Sequence, residues 1–521
     1  MTEKAIQNRP GWSISLHWVT VISLLYLALP CMLFFSSWFT PWVAWPVNLG
    51  IILSLISYVR RRAGDTVWKP SQPHLIGIAL AALVCIVVFM LTGIAGYFTP
   101  ATDVLIFREA LYNNIIREAW PLVLPNGREM SYYLAGMLPP ALLARLTEDY
   151  TMQRFLAVLW YAAGMWLTLL LFFCRNQKFS FLFLIFIFIF KDPVYLLINS
   201  LAGNGEIWQA VGKFISLPPN EYTGIPHPVL MMFLNAQGCN FHPYSLLAAA
   251  LIINAQEKLR LLIPLVITLL LPTSPLGAIG CLPLAAIPWV QDARHNMVRS
   301  AVSLLLPVGI TLLCACYYLR AESATSIGLF PLLQGSWPDF FLHFYIGIVA
   351  SILLFCCILG KEIIRQDRAL QVSIACCLIL PWFYLGSSRE SGLFGLNELW
   401  LKTSLIYHMH LIAALCLNWD KLPWGKYVYV LSLVILFSRD ERIRSLQYTG
   451  VPAVQDVWQG HLLHTHRSLY QKIPHCNPCC IQGLMLEGGQ AEKHFPGKLL
   501  PKAPGCDYTR PMQPDGRFIT H

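Results

Sequence analysis

Charge is what this sequence has least of. Asp, Glu, Lys and Arg make up 12% of its 521 residues, where an ordinary soluble domain carries about 25%. So few charged side chains cannot cover a globule of this size in water, which excludes a soluble fold. Signature motifs are missing too. There is no G-x-x-x-x-G-K-[ST], no G-x-G-x-x-G and no H-E-x-x-H, which argues against an internally fuelled ATPase, a nucleotide-dependent oxidoreductase and a zincin. The short alternating segments of a membrane β-barrel are absent. No internal repeat and no matching pair of Gly/Pro-broken spans occur, which weakens an inverted-repeat transporter. The first apolar block is too long for a leader peptide's core and lacks a small-x-small cleavage site, so it is expected to stay as a first span.

What remains is apolar. Hydrophobic residues reach 56% and mean hydropathy is +0.55. They come in blocks of roughly 17–25 residues, the length of helix that crosses about 30 Å of hydrocarbon. A backbone in lipid must satisfy its own hydrogen bonds, so these blocks read as helices. Candidate spans are 13–36, 38–58, 74–98, 155–174, 179–199, 241–256, 260–273, 275–290, 300–318, 341–360, 369–387, 403–417 and 427–438. The expected fold is all-α, a polytopic transmembrane helical bundle of about 11–14 spans, with juxtamembrane helices in the first large external loop. Residues 1–438 form the membrane domain and 439–521 a small, polar, loop-rich tail.

Orientation follows the basic loops. Arg60-Arg61-Arg62, Arg175 with Lys178, Lys258 with Arg260, Arg294 with Arg299, Lys361 with Arg365 and Arg368, and Lys421 with Lys426 fall in alternate loops. All lie on one side if the short stretch 131–146, with Pro139-Pro140, does not cross. The N-terminus is then cytoplasmic and the tail extracytoplasmic, in a cell (inner) membrane. The net charge of +10 is spread over these loops rather than gathered in one patch, so no nucleic-acid partner is expected. The partner is membrane lipid.

The acidic residues gather in the external loops 99–154, 200–240, 320–340 and 388–402, where chemistry is expected. Over 104–119, Val104, Phe107, Leu111 and Ile115 share one helical face and Glu109, Asn113 and Arg117 the other. This is either an amphipathic connector or a helix that holds Asp103 or Glu109 against a lipid-borne substrate. Such a carboxylate serves as a general base or holds a divalent metal ion that bridges to phosphate. Glu398 and Lys402, four apart at the start of a late span, read as a helix-surface pair or as a lysine that grips phosphate. Lys191-Asp192, His17 and Asn254 are the few polar groups a transport path would use.

Of the sixteen cysteines, most lie in apolar blocks and behave as small hydrophobes. The tail cluster Cys476, Cys479 and Cys480, with Cys506, differs. Zinc wants a second paired half, while an external compartment favours disulfides, with three pairings open to four cysteines.

The run REALYNNIIREAWPLVLPNGREMSYYLAGMLPPALLARL, with TSPLGAIGCLPLA (273–285) and GLNELWLKTSL, resembles the motif set of a family of bacterial multi-pass membrane proteins of the GT-C glycosyltransferase-like type. Trp120-Pro121-Leu122, Tyr132-Tyr133, Leu138-Pro139-Pro140-Ala141, Asn397-Glu398 and Lys402 carry the match. The resemblance implies transfer of a sugar, or a phospho-group, from a polyprenyl-phosphate-linked donor at the external face. It also implies an acidic loop residue, Asp103 or Glu109, at the chemistry. Arg108, Asn113, Arg117, Trp120, Tyr132, Tyr133, Asn397, Glu398 and Lys402 would then bind the substrate. The competing functions are a transporter or flippase for a lipid-linked or small polar substrate, and a non-catalytic envelope-biogenesis subunit.

Overall fold

The computed structural model describes residues 12–60, 66–91, 111–112, 115–116, 118–122, 132–189, 242–255, 257–295, 297–319, 325–329, 341, 345–387, 398–422 and 427. Its helices are α1 (Leu16–Trp38), α2 (Pro41–Arg60), α3 (Gln72–Leu91), α4 (Leu138–Ala144), α5 (Tyr150–Asn176), α6 (Phe181–Ile189), α7 (His242–Ile253), α8 (Ile263–Leu270), α9 (Pro275–His295), α10 (Met297–Tyr318), α11 (Ile346–Gln366), α12 (Arg368–Ile379) and α13 (Glu398–Leu417). Among the described residues, strands are confined to two small ribbons: β1 (Ile14–Ser15) with β2 (Val67–Trp68), and β3 (Thr325–Leu329) with β4 (Phe383–Ser387), both antiparallel. The chain is an all-α polytopic helical bundle. Six described helices are long and apolar enough to cross a bilayer (α1, α2, α3, α5, α10 and α13), and shorter apolar helices pack among them.

Burial sorts the helices into a centre and a lipid-facing shell. In α7 every side chain from His242 to Ile252 is buried, and α13 is almost entirely enclosed. A helix that is apolar all round and buried all round is an interior helix. Around α7 lie α1, α5, α8 and α9, and around α13 lie α6, α9 and α12. On α2, α3 and α10, Leu53, Leu83, Leu305 and Leu312 stand exposed in mid-helix. Apolar faces this continuous are not tolerated in water, and they fit hydrocarbon.

Several hydroxyls in these helices are satisfied locally, as lipid demands. Ser23 donates to the Val19 carbonyl at 2.8 Å, Thr168 to Gly164 at 2.9 Å and Thr403 to Leu399 at 2.6 Å. Each bond runs back one turn within its own helix. Between helices, tyrosine and tryptophan side chains supply many of the polar ties. Tyr244 on α7 makes two: its hydroxyl accepts from Trp160 Nε1 at 2.6 Å and donates to the Gly136 carbonyl at 2.7 Å. Tyr26 stacks on both Trp160 and Tyr244. A Cβ at Gly136 would stand 2.7 Å from the Tyr244 ring, so only glycine allows this approach. Tyr244→Phe keeps the ring but strands the Trp160 indole N–H and leaves the Gly136 carbonyl only the longer bond from Tyr161, at 3.5 Å. It should cost about 1–3 kcal/mol, read as a lowered thermal midpoint of the protein in detergent micelles.

One span boundary differs from the sequence expectation. The stretch 369–387 reads as one span, yet the helix stops at Ile379 and residues 383–387 form β4. Pro381 removes a helical N–H and clashes one turn back, and Phe383-Tyr384-Leu385 then suits a strand. In α11, Gly360 takes φ 77° and ψ 158°, which ends the membrane segment. The following turn carries Lys361 and Arg365 as a separate surface piece. The stretch 131–146 is a 3-10 turn (Ala135–Met137) and the seven-residue α4, too short to cross.

Candidate functional site

The C-terminal ends of α1 and α10 and the N-terminal end of α13 meet the segment 132–137 in a cluster of aromatic rings. Tyr317 fixes this segment: its hydroxyl accepts from the Tyr132 N–H and donates to the Tyr132 carbonyl, both at 2.9 Å. One side chain thereby satisfies both polar groups of one residue, and the backbone that presents Tyr132 and Tyr133 is held to α10. The Ala135 N–H donates to the Pro272 carbonyl at 3.3 Å, a second tie at the end of α8. Tyr132 and Tyr133 stack with centroids 3.9 Å apart.

Lys402 of α13 closes the cluster from the other side. Its Nζ lies 2.7 Å from Glu398 Oε2, donates to the Tyr133 hydroxyl at 3.3 Å, and stands 4.8 Å from the Tyr133 ring centroid. The lysine side chain is 11% exposed and the glutamate 32%. Burial of the ammonium is compensated by the carboxylate and the ring face. Helical spacing explains half of this: positions 398 and 402 share a face. The other half, Tyr133 arriving from 269 residues earlier, is tertiary.

The rings continue toward α1. Phe34 meets Tyr317 edge-on at 4.9 Å and stacks on Trp38, which lies 6.4 Å from Trp120. The Arg145 guanidinium sits 4.3 Å over the Trp120 ring, and Trp120 Nε1 donates to the Ile115 carbonyl at 2.8 Å. Leu111, Tyr112, Ile115 and Ile116 are helical and buried, so these positions pack against the bundle. Of the residues singled out from the sequence, Tyr132, Tyr133, Glu398 and Lys402 come together directly, and Trp120 joins them through Trp38, Phe34 and Tyr317. Asp103, Arg108, Glu109, Asn113, Arg117, Asn397 and the tail cysteines Cys476, Cys479, Cys480 and Cys506 lie outside the described residues. Among the described residues no group of three or more His, Cys, Asp or Glu side chains could hold a metal ion. The sequence reading missed Trp38, Arg145 and Tyr317, none of which carries a motif.

At the opposite end, Asp367 caps α12: its Oδ1 accepts the Leu370 N–H at 3.0 Å. Its Oδ2 lies 3.4 Å from His410 Nε2, and His410 Nδ1 lies 2.9 Å from Ser373 Oγ. These are the residue types of a hydrolytic triad, but Ser373 is fully buried and its hydroxyl donates to Ala369 at 3.0 Å. The arrangement clamps α12 to α13. Partial burial raises the Asp367 carboxyl, but the hydrogen bond and charge of His410, with the Leu370 and Ala369 amides, outweigh it and hold the carboxyl below its usual value. A depressed carboxyl contributes stability above the unfolded pKa of about 3.9 and loses it as pH falls through the folded value. The thermal midpoint should therefore drop below about pH 4 in the native protein. Asp367→Asn, which keeps the cap, should flatten that acid limb.

His17 and Asn254 serve the fold rather than a path. His17 stacks on Tyr58 at 5.1 Å, and the Asn254 amide donates to its own helix at Ala250, 2.8 Å away. Lys191 and Asp192 lie outside the described residues. Comparison of the chain with protein-family models, with curated proteins and with solved structures found no match.

Proposed function

We propose that this chain is a membrane transferase of the GT-C glycosyltransferase-like type, working at the external face of the cytoplasmic membrane. Its donor is a sugar, or phospho-group, carried on polyprenyl phosphate. The observation that carries this reading is the meeting of Lys402 with the Tyr132-Tyr133 stack at one end of the bundle. A lipid phosphate sits at the interface while its chain stays in hydrocarbon, so its receptor needs a cation beside aromatic surface at that depth. Lys402 supplies the point charge for phosphate, with Glu398 as the group that holds it when the donor is absent. Tyr133, Tyr132 and Trp120 offer ring faces and polar edges to a sugar. Arg108, Asn113, Arg117 and Asn397 are assigned the remaining contacts.

Asp103 or Glu109 is assigned the base. It takes the proton of the acceptor hydroxyl, whose oxygen then bonds to the anomeric carbon. The bond from that carbon to the phosphate oxygen breaks, and polyprenyl phosphate leaves with the electron pair. The base must come within about 3 Å of that hydroxyl, directly or through one water. In proteoliposomes supplied with labelled polyprenyl-phosphate sugars, either Asp103→Ala or Glu109→Ala should abolish label transfer while the protein folds normally. Transfer that survives both substitutions removes the assignment of the base, and absence of transfer by the native protein removes the enzymatic reading.

The orientation has its own test. Reporter fusions at positions 64, 296, 364 and 423 should all report cytoplasm, and one at 460 the exterior. A cytoplasmic report at 460 would mean an odd error in the number of crossings.

A further inference from the structure

The hairpin of α1 and α2 is zipped at one end and open at the other. Near its turn, the Asn48 amide donates to the Met32 carbonyl at 3.2 Å and to Ser36 Oγ at 2.8 Å, holding the two helices together. Beyond Met32 the helices leave a groove of about 400 Å³, lined by Val21, Leu24, Ala28, Leu55 and Tyr58 among others. Those five are buried and form its floor, while Leu25, Leu29, Ile52 and Ile56 stand 38–51% exposed along its rim. The lining is apolar throughout, on two helices that are each long and apolar enough to cross a bilayer.

The groove's length and its ends say what fills it. From Val21 to Met32 is eleven steps of about 1.5 Å, or ~16 Å, close to the ~15 Å hydrocarbon depth of one leaflet. The closed end, at Asn48, lies toward mid-membrane. The open end lies beside Tyr58 and Val59, with Arg60 next along the chain as the exposed last residue of α2. Trp12 and Trp18, 78% and 46% exposed, mark that end as the membrane interface. An apolar slot one leaflet deep with a cation at its mouth matches a single phospholipid, its chain in the slot and its phosphate outside.

We propose that the α1–α2 groove binds one acyl chain of an anionic phospholipid, whose headgroup pairs with Arg60. The charge at the mouth selects the headgroup, because a basic side chain at the membrane surface attracts anionic lipid. The floor fixes depth, since the hairpin closes above Met32 and stops the chain there. This site is separate from the Lys402 cluster, which lies at the other end of α1.

The test is native mass spectrometry of the full chain, delipidated and then re-equilibrated with vesicles of phosphatidylglycerol or phosphatidylcholine. The native protein should carry one tightly retained phospholipid, with phosphatidylglycerol favoured at least fivefold. Ile56→Trp, a lipid-facing rim position where the larger ring covers the slot, should lower occupancy at least tenfold; Ala28→Phe fills the floor and should do the same. Arg60→Gln should keep the lipid but lose the headgroup preference. Absence of a retained phospholipid, occupancy unchanged in folded Ile56→Trp, or an unchanged preference in Arg60→Gln would each overturn the proposal.

Discussion

Lys402→Met should lower transfer from a polyprenyl-phosphate donor by about 10²-fold or more, the scale of losing one electrostatic contact to the reacting group. Methionine keeps the apolar stem of lysine and removes the ammonium, with its charge and its bond to the Tyr133 hydroxyl. The fold should hardly respond. Glu398 is about one-third exposed, so water replaces its lost partner, and loss of the pair is offset by relief from burying the ammonium, leaving a net change below about 1 kcal/mol. A loss of activity with an unchanged thermal midpoint therefore separates a phosphate-gripping lysine from a lysine that only pairs with its neighbour one turn away. Lys402→Arg should restore part of the activity, because charge is retained while the reach and shape differ. If Lys402→Met transfers at the native rate, the cluster is an ordinary helix-surface pair.

Tyr317→Phe should act through Tyr132. Removing one oxygen leaves both the N–H and the carbonyl of Tyr132 without the partner they share. The carbonyl still accepts from the Leu134 N–H at 2.9 Å, so the stranded group is the half-buried N–H, at about 1–3 kcal/mol and less where water reaches it. Phe34 still holds the ring edge-on, so α10 keeps its packing and the strain falls on the segment that presents Tyr132 and Tyr133. The expected result is a lower thermal midpoint together with about tenfold weaker donor binding, tenfold being 1.4 kcal/mol. The chemical step at saturating donor should change less than binding, because Tyr317 touches only the presenting segment. A variant that loses stability and keeps native donor affinity would show the Tyr132-Tyr133 stack to be a structural brace.

Much of this was legible in the sequence, for definite physical reasons. Long apolar blocks have one solution in lipid, so α1, α2, α3, α5 and α10 are close to their expected bounds. The Glu398–Lys402 contact follows from helical spacing alone. What could not be read depends on partners far apart in the chain. Tyr133 joins Lys402 because Tyr317, on another helix, ties down Tyr132, and no local pattern encodes that. The β3–β4 ribbon escaped notice because Phe383-Tyr384-Leu385 is apolar enough to extend a span until Pro381 is given full weight. The Asp367–His410–Ser373 clamp has the same origin: three unremarkable residues on two helices and a loop.

The groove on α1–α2 and the cluster at Lys402 make opposite demands on lipid, which allows one experiment to address both. The groove is one leaflet deep and suits a phospholipid, whereas a polyprenyl chain belongs with the aromatic end of the bundle. Native mass spectrometry of the chain purified in mild detergent, without added lipid, compares the two directly. A polyprenyl-phosphate-bearing lipid should co-purify with the native protein, and its occupancy should fall at least tenfold in Lys402→Met while the phospholipid is retained. A native protein free of any polyprenyl lipid, or one whose polyprenyl lipid survives Lys402→Met undiminished, would contradict the assignment of the site.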